Sequence, residues 1–193
     1  MSKYNRTYHL PFSPGTTSDD RVSKKVDSIL GVYARSHATF TTSPWSREVR
    51  QLHSILKNDL DDDVFLFGEN MEGIHSIEYS DLTSYFYLFG VRDNYNWISW
   101  NEVEEYSYLL DIPTAPVLFR GVIKTYDELK TIVEDLVSKP SKLGGKCEGI
   151  VIRNAGSFHN DDFSQNVMKW VRKNHVSTDE HWTRNWVKAN IKR

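Results

Sequence analysis

Three short stretches of this sequence set a charge against an apolar run and a glycine. In FLFGENMEG, Glu69 follows Phe65, Leu66 and Phe67 and sits beside Gly68, with Gly73 close behind. In CEGIVIR, Glu148 and Gly149 lead into an apolar run that closes on Arg153, and in NVMKWVRKNH, Lys169 interrupts an apolar run and precedes Arg172, Lys173 and His175. Carboxylates and ammonium groups are rarely buried alone, so charges inside apolar strands either pair with one another or face a polar ligand. One reading is structural: Glu148 pairs with Lys169, and Glu69 faces solvent. The other is chemical: two glutamates accept hydrogen bonds from ribose hydroxyls or hold a hydrated Mg²⁺, a lysine and an arginine neutralise a phosphate, and glycine lets the backbone come close. The coincidence of three such stretches favours the chemical reading.

Aromatic residues supply the other half of a nucleotide pocket. Phe86 and Phe89 lie in SYFYLFGV, where strand alternation sends them to opposite faces, so at most one can stack on a base. A metal site built from Glu69, Glu72 and His75 would need a helix across Gly68 and Gly73, which argues against it. No G-x-S-x-G, Walker or dinucleotide fingerprint occurs in the sequence.

The elements that must position these residues are legible in outline. Residues 11–20, PFSPGTTSDD, read as a surface loop. A helix follows Ser43, with Pro44 at its first position and Val49, Leu52, Ile55 and Leu56 at three- and four-residue steps; residues 61–63 end it in an acidic turn. Residues 64–67 form a short strand ending at Gly68, and residues 84–92 a buried aromatic strand. Ser99 with Glu102 and Thr125 with Glu128 read as capping boxes, each opening a helix, and residues 115–118 between them as a strand. Two further strands cover residues 147–153 and 166–172, the latter with Val167, Lys169 and Val171 on one face and Met168, Trp170 and Arg172 on the other. A last helix begins near Thr178. Strands and helices do not alternate regularly and no repeat appears, so the expected class is α+β, one domain over residues 1–193 with antiparallel or mixed sheets.

Composition limits the function classes. The 193 residues, 39% hydrophobic and 13% aromatic, are enough for one substantial core. A net charge of -2 gives no global attraction to a polyanion, so nucleic-acid contact must come from a local patch. The sole cysteine, Cys147, excludes an internal disulfide and fits a reducing compartment. No apolar run approaches the ~20 residues that span a bilayer, and MSKYNRTYHL lacks the apolar core of a signal peptide. The expectation is a cytoplasmic protein with no membrane partner.

Taken in order, GENMEGIHSIEYSDLTSYFYLFGVRD, EGIVIR and MKWVRKNHVSTDEHW resemble motifs III, IIIa, IV and V of the ATP-dependent RNA ligases, within the covalent nucleotidyltransferase superfamily and its RNA ligase 2-like branch. HLPFSPGTTSDD and YARSH resemble N-terminal segments of one bacterial and phage branch. The resemblance implies a nucleotidyltransferase (adenylation) domain of mostly antiparallel sheets flanked by helices; only about twenty residues follow motif V, fewer than the ~50-residue minimum of a domain, so no separate C-terminal OB or helical domain is expected. It implies ATP, held as AMP, and Mg²⁺ as cofactors, and RNA ends as the partner. By resemblance Glu69 contacts the ribose, Phe89 stacks on adenine, Glu148 serves the metal or the ribose, Lys169 holds the α-phosphate, and Arg35 in YARSH contacts nucleotide or RNA phosphates. Gly90 stands where some members of the wider family carry an aspartate. Motif V is commonly Lys-x-Lys; Val171 occupies the second position here, leaving Arg172 and Lys173 as candidate RNA- or phosphate-binding substitutes.

Such ligases form a lysyl-adenylate, pass AMP to an RNA 5′-phosphate, and seal when a 3′-hydroxyl displaces AMP. The nucleophile sits in a Lys-x-Asp-Gly turn between two strands, after a segment like DSILG and before one like VYARSH. Here Gly31 runs directly into Val32, so a strand, turn and strand of roughly twenty residues by ordinary strand lengths are absent. Lys25, in Lys25-Val26-Asp27-Ser28, is the nucleophile candidate that remains; it lacks the final glycine and otherwise reads as a surface lysine ahead of a short helix. A lysine amine is needed to form the cleavable phosphoramidate, so without that segment self-adenylation is expected to fail. Two functions remain: an RNA ligase restricted to sealing pre-adenylated RNA, and a non-catalytic module that binds RNA or a nucleotide.

Overall fold

The computed structural model describes residues 5–9, 19–24, 30–34, 39–61, 63–74, 77–171 and 184–192, and every statement of structure below concerns these. In chain order the elements are β1 (Asn5–His9), β2 (Asp19–Lys24), β3 (Leu30–Tyr33), α1 (Arg47–Leu56), β4 (Val64–Asn70), β5 (Gly73–Ile74), β6 (Phe86–Asp93), β7 (Asn96–Trp97), α2 (Trp100–Leu109), β8 (Val117–Val122), α3 (Tyr126–Ser138), β9 (Gly149–Asn154), β10 (Phe158–His159), α4 (Phe163–Asn166), β11 (Val167–Val171) and β12 (Val187–Lys188). The class is α+β, as expected. All strand ladders are antiparallel; the exception is a single parallel bridge between Leu88 and Thr114.

The strands form a four-stranded sheet in the order β11-β9-β1-β8, a six-stranded sheet in the order β10-β7-β6-β4-β2-β3, and a β12-β5 pair. Helices α1 and α2 cover one face of the larger sheet, where Val49, Leu56, Trp100 and Val103 meet Val64, Leu66, Phe86, Leu88 and Val91. Each such side chain contributes about 1.5–3 kcal/mol relative to exposure. Helix α3 covers one face of the smaller sheet through Val133, Leu129 and Ile132 against Ile150, Ile152 and Trp170.

Several local signals act as their chemistry predicts. Pro44 opens a 3₁₀ turn, Pro44–Ser46, that leads into α1. The buried face of α1 is Val49, His53 and Leu56, whereas Ile55, expected on that face, is 69% exposed. Ser99 and Glu102 form a reciprocal capping box. At α3 the box is offset: the Thr125 hydroxyl accepts from the Glu128 amide at 3.1 Å, but the Glu128 carboxylate accepts from the amide of Lys124 rather than of Thr125.

Other boundaries move for identifiable reasons. Strand β4 continues past Gly68 to Asn70. Strand β6 starts at Phe86, not residue 84, because the Ser84 hydroxyl bonds both the amide and the carbonyl of Phe86 in a local turn. Residues 115–118 give way to β8 at Val117–Val122: Leu88 donates to the Pro113 carbonyl and accepts from the Ala115 amide, and Pro116, lacking an amide hydrogen, ends that pairing. Asp19 and Asp20, read as the end of a loop, begin β2 because β4 supplies their register partners Glu69 and Gly68. The helix expected from Thr178 lies outside the described residues.

Candidate nucleotide site

Alternation along β4 sends Val64 and Leu66 to the core beneath the helices and leaves Phe65, Phe67 and Glu69 for the other face. Glu69 is register partner to Tyr87 on β6 and Asp19 on β2, and is only 7% exposed, so the solvent-facing position of the structural reading is not observed. The β4–β6 register shifts between Phe67 and Gly68, whose partners are Gly90 and Leu88, so Phe89 occupies a bulge. Phe89 packs against both the cluster of Phe67, Trp97 and Phe158 and the cluster built on Leu82, Tyr87 and Ala115, to which Tyr79 and Val151 also belong, while Phe86 points into the helix-covered core. The two phenylalanines thus lie on opposite faces, as alternation predicts.

The glycines serve packing. A Cβ on Gly68 would lie 2.2 Å from the Phe86 ring, so this glycine admits an aromatic side chain rather than a ligand. A Cβ on Gly90 would lie 2.8 Å from the Trp97 indole; that ring occupies the space where an aspartate would stand. At Gly149 the obstacle is the carbonyl oxygen of Trp170 at 2.3 Å, so glycine lets β11 close on the residue following Glu148.

From the smaller sheet come Glu148, immediately before β9 and 3% exposed, and Lys169 on β11, which is exposed. Lys169 pairs with Val151, while Met168 and Trp170 pair with Ile152 and Ile150 on the α3 side, so the two faces divide as expected. Val151 packs in the cluster that holds Phe89 and Tyr79. Arg153 is turned elsewhere: it donates to the carbonyls of Phe89 (3.3 Å), Ile98 (2.9 Å) and Asn154 (3.2 Å) and lies against the Trp100 and Phe158 rings. Burial lowers its pKa to about 10, leaving it charged at neutral pH. It ties the sheets together and does not present its charge to a phosphate.

The charges of the two glutamates both act on a residue that pattern reading does not single out. Tyr79 has its pKa raised, first by burial, then by the charges of Glu148, Glu69 and the Cys147 thiol, so carboxylates from two different sheets act on one phenol. Its loop is clamped from two directions. Asp81 donates its amide to the Leu143 carbonyl, and Lys192 pairs with the Asp81 carboxylate and donates its amide to Leu82. Glu72, weighed from the sequence only as a metal ligand, is 1% exposed; it accepts from the Glu48 amide at the start of α1 and faces Lys188 at 3.7 Å, fixing the exit of β4.

The structure therefore brings Glu69, Phe89 and Glu148 around Tyr79, with Lys169 in register with Val151 of the same cluster. Arg35, Arg172, Lys173 and Lys25 lie outside the described residues, as does His75. Lys24 pairs with Leu30 at the end of β2 remote from Asp19, the partner of Glu69, so five residues of strand, about 17 Å at ~3.3 Å each, separate Lys24 from the level of Glu69. No three His, Cys, Asp or Glu residues gather among the described residues into a metal-holding group, and no helix there is long and apolar enough to cross a membrane.

The family model for RNA ligase matches residues 16–171. Among solved structures, an archaeal ATP-dependent RNA ligase superposes with a TM-score of 0.58 at 13% identity, covering 88% of this chain and 43% of that one. A Naegleria gruberi RNA ligase carrying a lysine-to-alanine substitution, with ATP and Mn, gives 0.56 at 17% identity, over 88% and 50%. A lysine-to-methionine variant of the N. gruberi ligase, with AMP and Mn, gives 0.52 at 18% identity, over 84% and 52%. The chain thus spans about half the length of these ligases. No curated protein matches it.

Proposed function

We propose, from the premise that this chain belongs to the RNA ligase family, that it holds an adenylate between its two sheets and seals RNA whose 5′ end is already adenylated. The observation that carries this reading is that Glu69 and Glu148, both buried and brought by separate sheets, flank one cluster that holds Phe89: Glu69 is register partner to Tyr87 of that cluster, and Glu148 precedes the strand that supplies its Val151. Glu69 accepts from the ribose, Phe89 stacks on adenine, and Lys169 meets the adenylate phosphate, with Arg35, Arg172 and Lys173 assigned to nucleotide or RNA phosphates.

In the sealing step the acceptor 3′-hydroxyl attacks the phosphorus of the RNA 5′-phosphate. A phosphodiester forms, the anhydride bond to the adenylate breaks, the hydroxyl proton goes to solvent or a carboxylate, and AMP leaves with its charge neutralised by Lys169. This step requires positioning and electrostatic stabilisation, not a lysine nucleophile. Hard carboxylate oxygens suit Mg²⁺, which binds one or two carboxylates and takes its other oxygens from phosphate and water; Glu148 is the residue assigned to it, where the ion would neutralise phosphate charge. Lys25 is followed by Val26-Asp27-Ser28 and so lacks the final glycine of the Lys-x-Asp-Gly turn, which weighs against it as a self-adenylating nucleophile. That same observation favours a second reading, a module that holds the nucleotide or RNA without chemistry.

The deciding experiment mixes folded protein with 5′-adenylated RNA, a 3′-hydroxyl acceptor and Mg²⁺. Joined product is expected, with a loss of about 10²-fold in Lys169→Ala. Nucleotide binding without product would leave the second reading, and absence of both would remove the adenylate site itself.

A further inference from the structure

Residues 184–192 return to the part of the larger sheet that carries Glu69. Trp186 meets Trp45 edge-on at 6.4 Å, and β12 then pairs with β5 through Val187 and Lys188. The Ala189 amide donates to the Glu72 carbonyl (2.8 Å), the Tyr85 hydroxyl donates to the Ala189 carbonyl (3.1 Å), and the Lys192 amide donates to the Leu82 carbonyl (2.7 Å). Glu72 follows β4 three residues beyond Glu69, and Tyr85 stands two residues before Tyr87, the register partner of Glu69. The exit of β4 and the entry of β6 are thus fastened to one segment. Ala189 and Ile191 also pack into the cluster that contains Phe89.

Beyond those three bonds the segment is held lightly. Its ladder to β5 is two residues long, and its ion pairs, Lys188 with Glu48 and Lys192 with Asp81, join groups that solvent reaches, so each adds little and salt weakens it. Glu72 differs. Its carboxylate is 1% exposed; one oxygen accepts from the Glu48 amide at 2.9 Å, and the other has no hydrogen bond among the described residues, with the Lys188 ammonium 3.7 Å away. Release of the segment takes away the cation facing this buried charge.

We propose that residues 184–192 form a strap whose docking and the binding of a nucleotide favour each other, with Lys188 as its latch and a positioning residue for Glu69. An undocked strap loosens the β4 exit and the β6 entry, and Glu69 with them; a nucleotide that engages Glu69 and Phe89 fixes both and draws the strap back. The coupling rests on the adenylate reading, since only a ligand with those contacts distinguishes the docked form from the undocked one.

Hydrogen exchange on the wild-type chain, read by mass spectrometry with and without AMP, tests this coupling. Peptides covering 184–192 are expected to exchange more slowly with AMP, while β8, an edge strand of the smaller sheet, is unchanged. Lys188→Met is expected to speed exchange in the strap and to weaken AMP binding about fivefold, the factor that follows when about one fifth of the chains remain docked; saturating AMP restores the strap's protection. Lys130→Met, which removes an exposed ion pair on α3, is the control and leaves both quantities unchanged. Strap exchange that ignores bound AMP, or wild-type AMP affinity in Lys188→Met, would overturn the coupling while the adenylate reading stands. A wild-type chain that binds no AMP would overturn both.

Discussion

Arg153 donates to the main-chain carbonyl of Phe89 across 3.3 Å, joining a strand of the smaller sheet to the bulge of the larger one. The same guanidinium reaches Ile98 at 2.9 Å, so one buried cation fixes how the sheet bearing Glu148 faces the sheet bearing Glu69. Arg153→Met keeps apolar volume but leaves these carbonyls without their donor. Hydrogen bonds to a charged group contribute about 1.5–3 kcal/mol, so a loss of about 3 kcal/mol is expected in urea unfolding. Arg153→Lys should recover only part of it, since one ammonium lacks the planar fork that serves both carbonyls. Wild-type stability in Arg153→Met would show that the sheets are joined by packing alone.

A second consequence follows from Gly68. Its added Cβ would meet the ring of Phe86, which is 2% exposed and has no room to retreat. Gly68→Ala is therefore expected to cost about 1–3 kcal/mol through overpacking. Combining it with Phe86→Leu should restore part of the loss, because the smaller side chain vacates the clash. Failure of the second substitution to compensate would argue that backbone freedom at residue 68, not the ring, requires glycine.

These two positions mark what sequence reading can reach here. Charges interrupting apolar runs identify Glu69, Glu148 and Lys169 without coordinates, and period-two alternation divides β11 and separates Phe86 from Phe89. The uses of Gly68 and Arg153 are decided by a side chain 18 residues away in one case and a main-chain carbonyl 64 residues away in the other, distances over which no local pattern speaks. Tyr79 escapes notice for the same reason: it lies in a polar loop, IEYSD, and acquires its surroundings only when residues 141–148 and 187–192 close around it. Strand β2 escapes because proline and glycine precede it, while the pairing that makes it a strand belongs to β4.

His53 gives a pH dependence. Burial, then the charge of Lys57, lowers its pKa below the ordinary 6.5, and its Nε2 is buried without a partner among the described residues. The unfolded chain takes up a proton near pH 6.5 that the folded chain resists, so this contribution to stability is present above that pH and is lost as pH falls through the folded value. His53→Leu is expected to flatten the fall in urea midpoint between about pH 7.5 and about pH 5.5, and to be no less stable than wild type at the upper pH, since it removes an unsatisfied buried nitrogen. An unchanged slope in the variant would assign the acid sensitivity to other groups.

The turn at Gly144 and Gly145 links backbone strain to the site. Both residues have positive φ, 82° and 76°, a conformation that costs an L-residue with a side chain about 1–2 kcal/mol. The same turn presses on the Tyr79 loop: a Cβ on Gly145 would lie 2.9 Å from the Glu78 carbonyl oxygen, and one on Gly144 would lie 2.2 Å from the Ser80 hydroxyl. Gly145→Ala should thus cost about 2 kcal/mol in unfolding and, because Glu78 adjoins Tyr79, also weaken AMP binding under conditions where the protein stays folded. Gly156→Ala is the control, since its Cβ would meet nothing nearer than the Asn154 Oδ1 at 3.6 Å, and it should leave both quantities unchanged. A Gly145→Ala protein that loses stability yet binds AMP as tightly as wild type would mean that the loop carrying Tyr79 tolerates displacement, and that the turn serves the fold without serving the ligand.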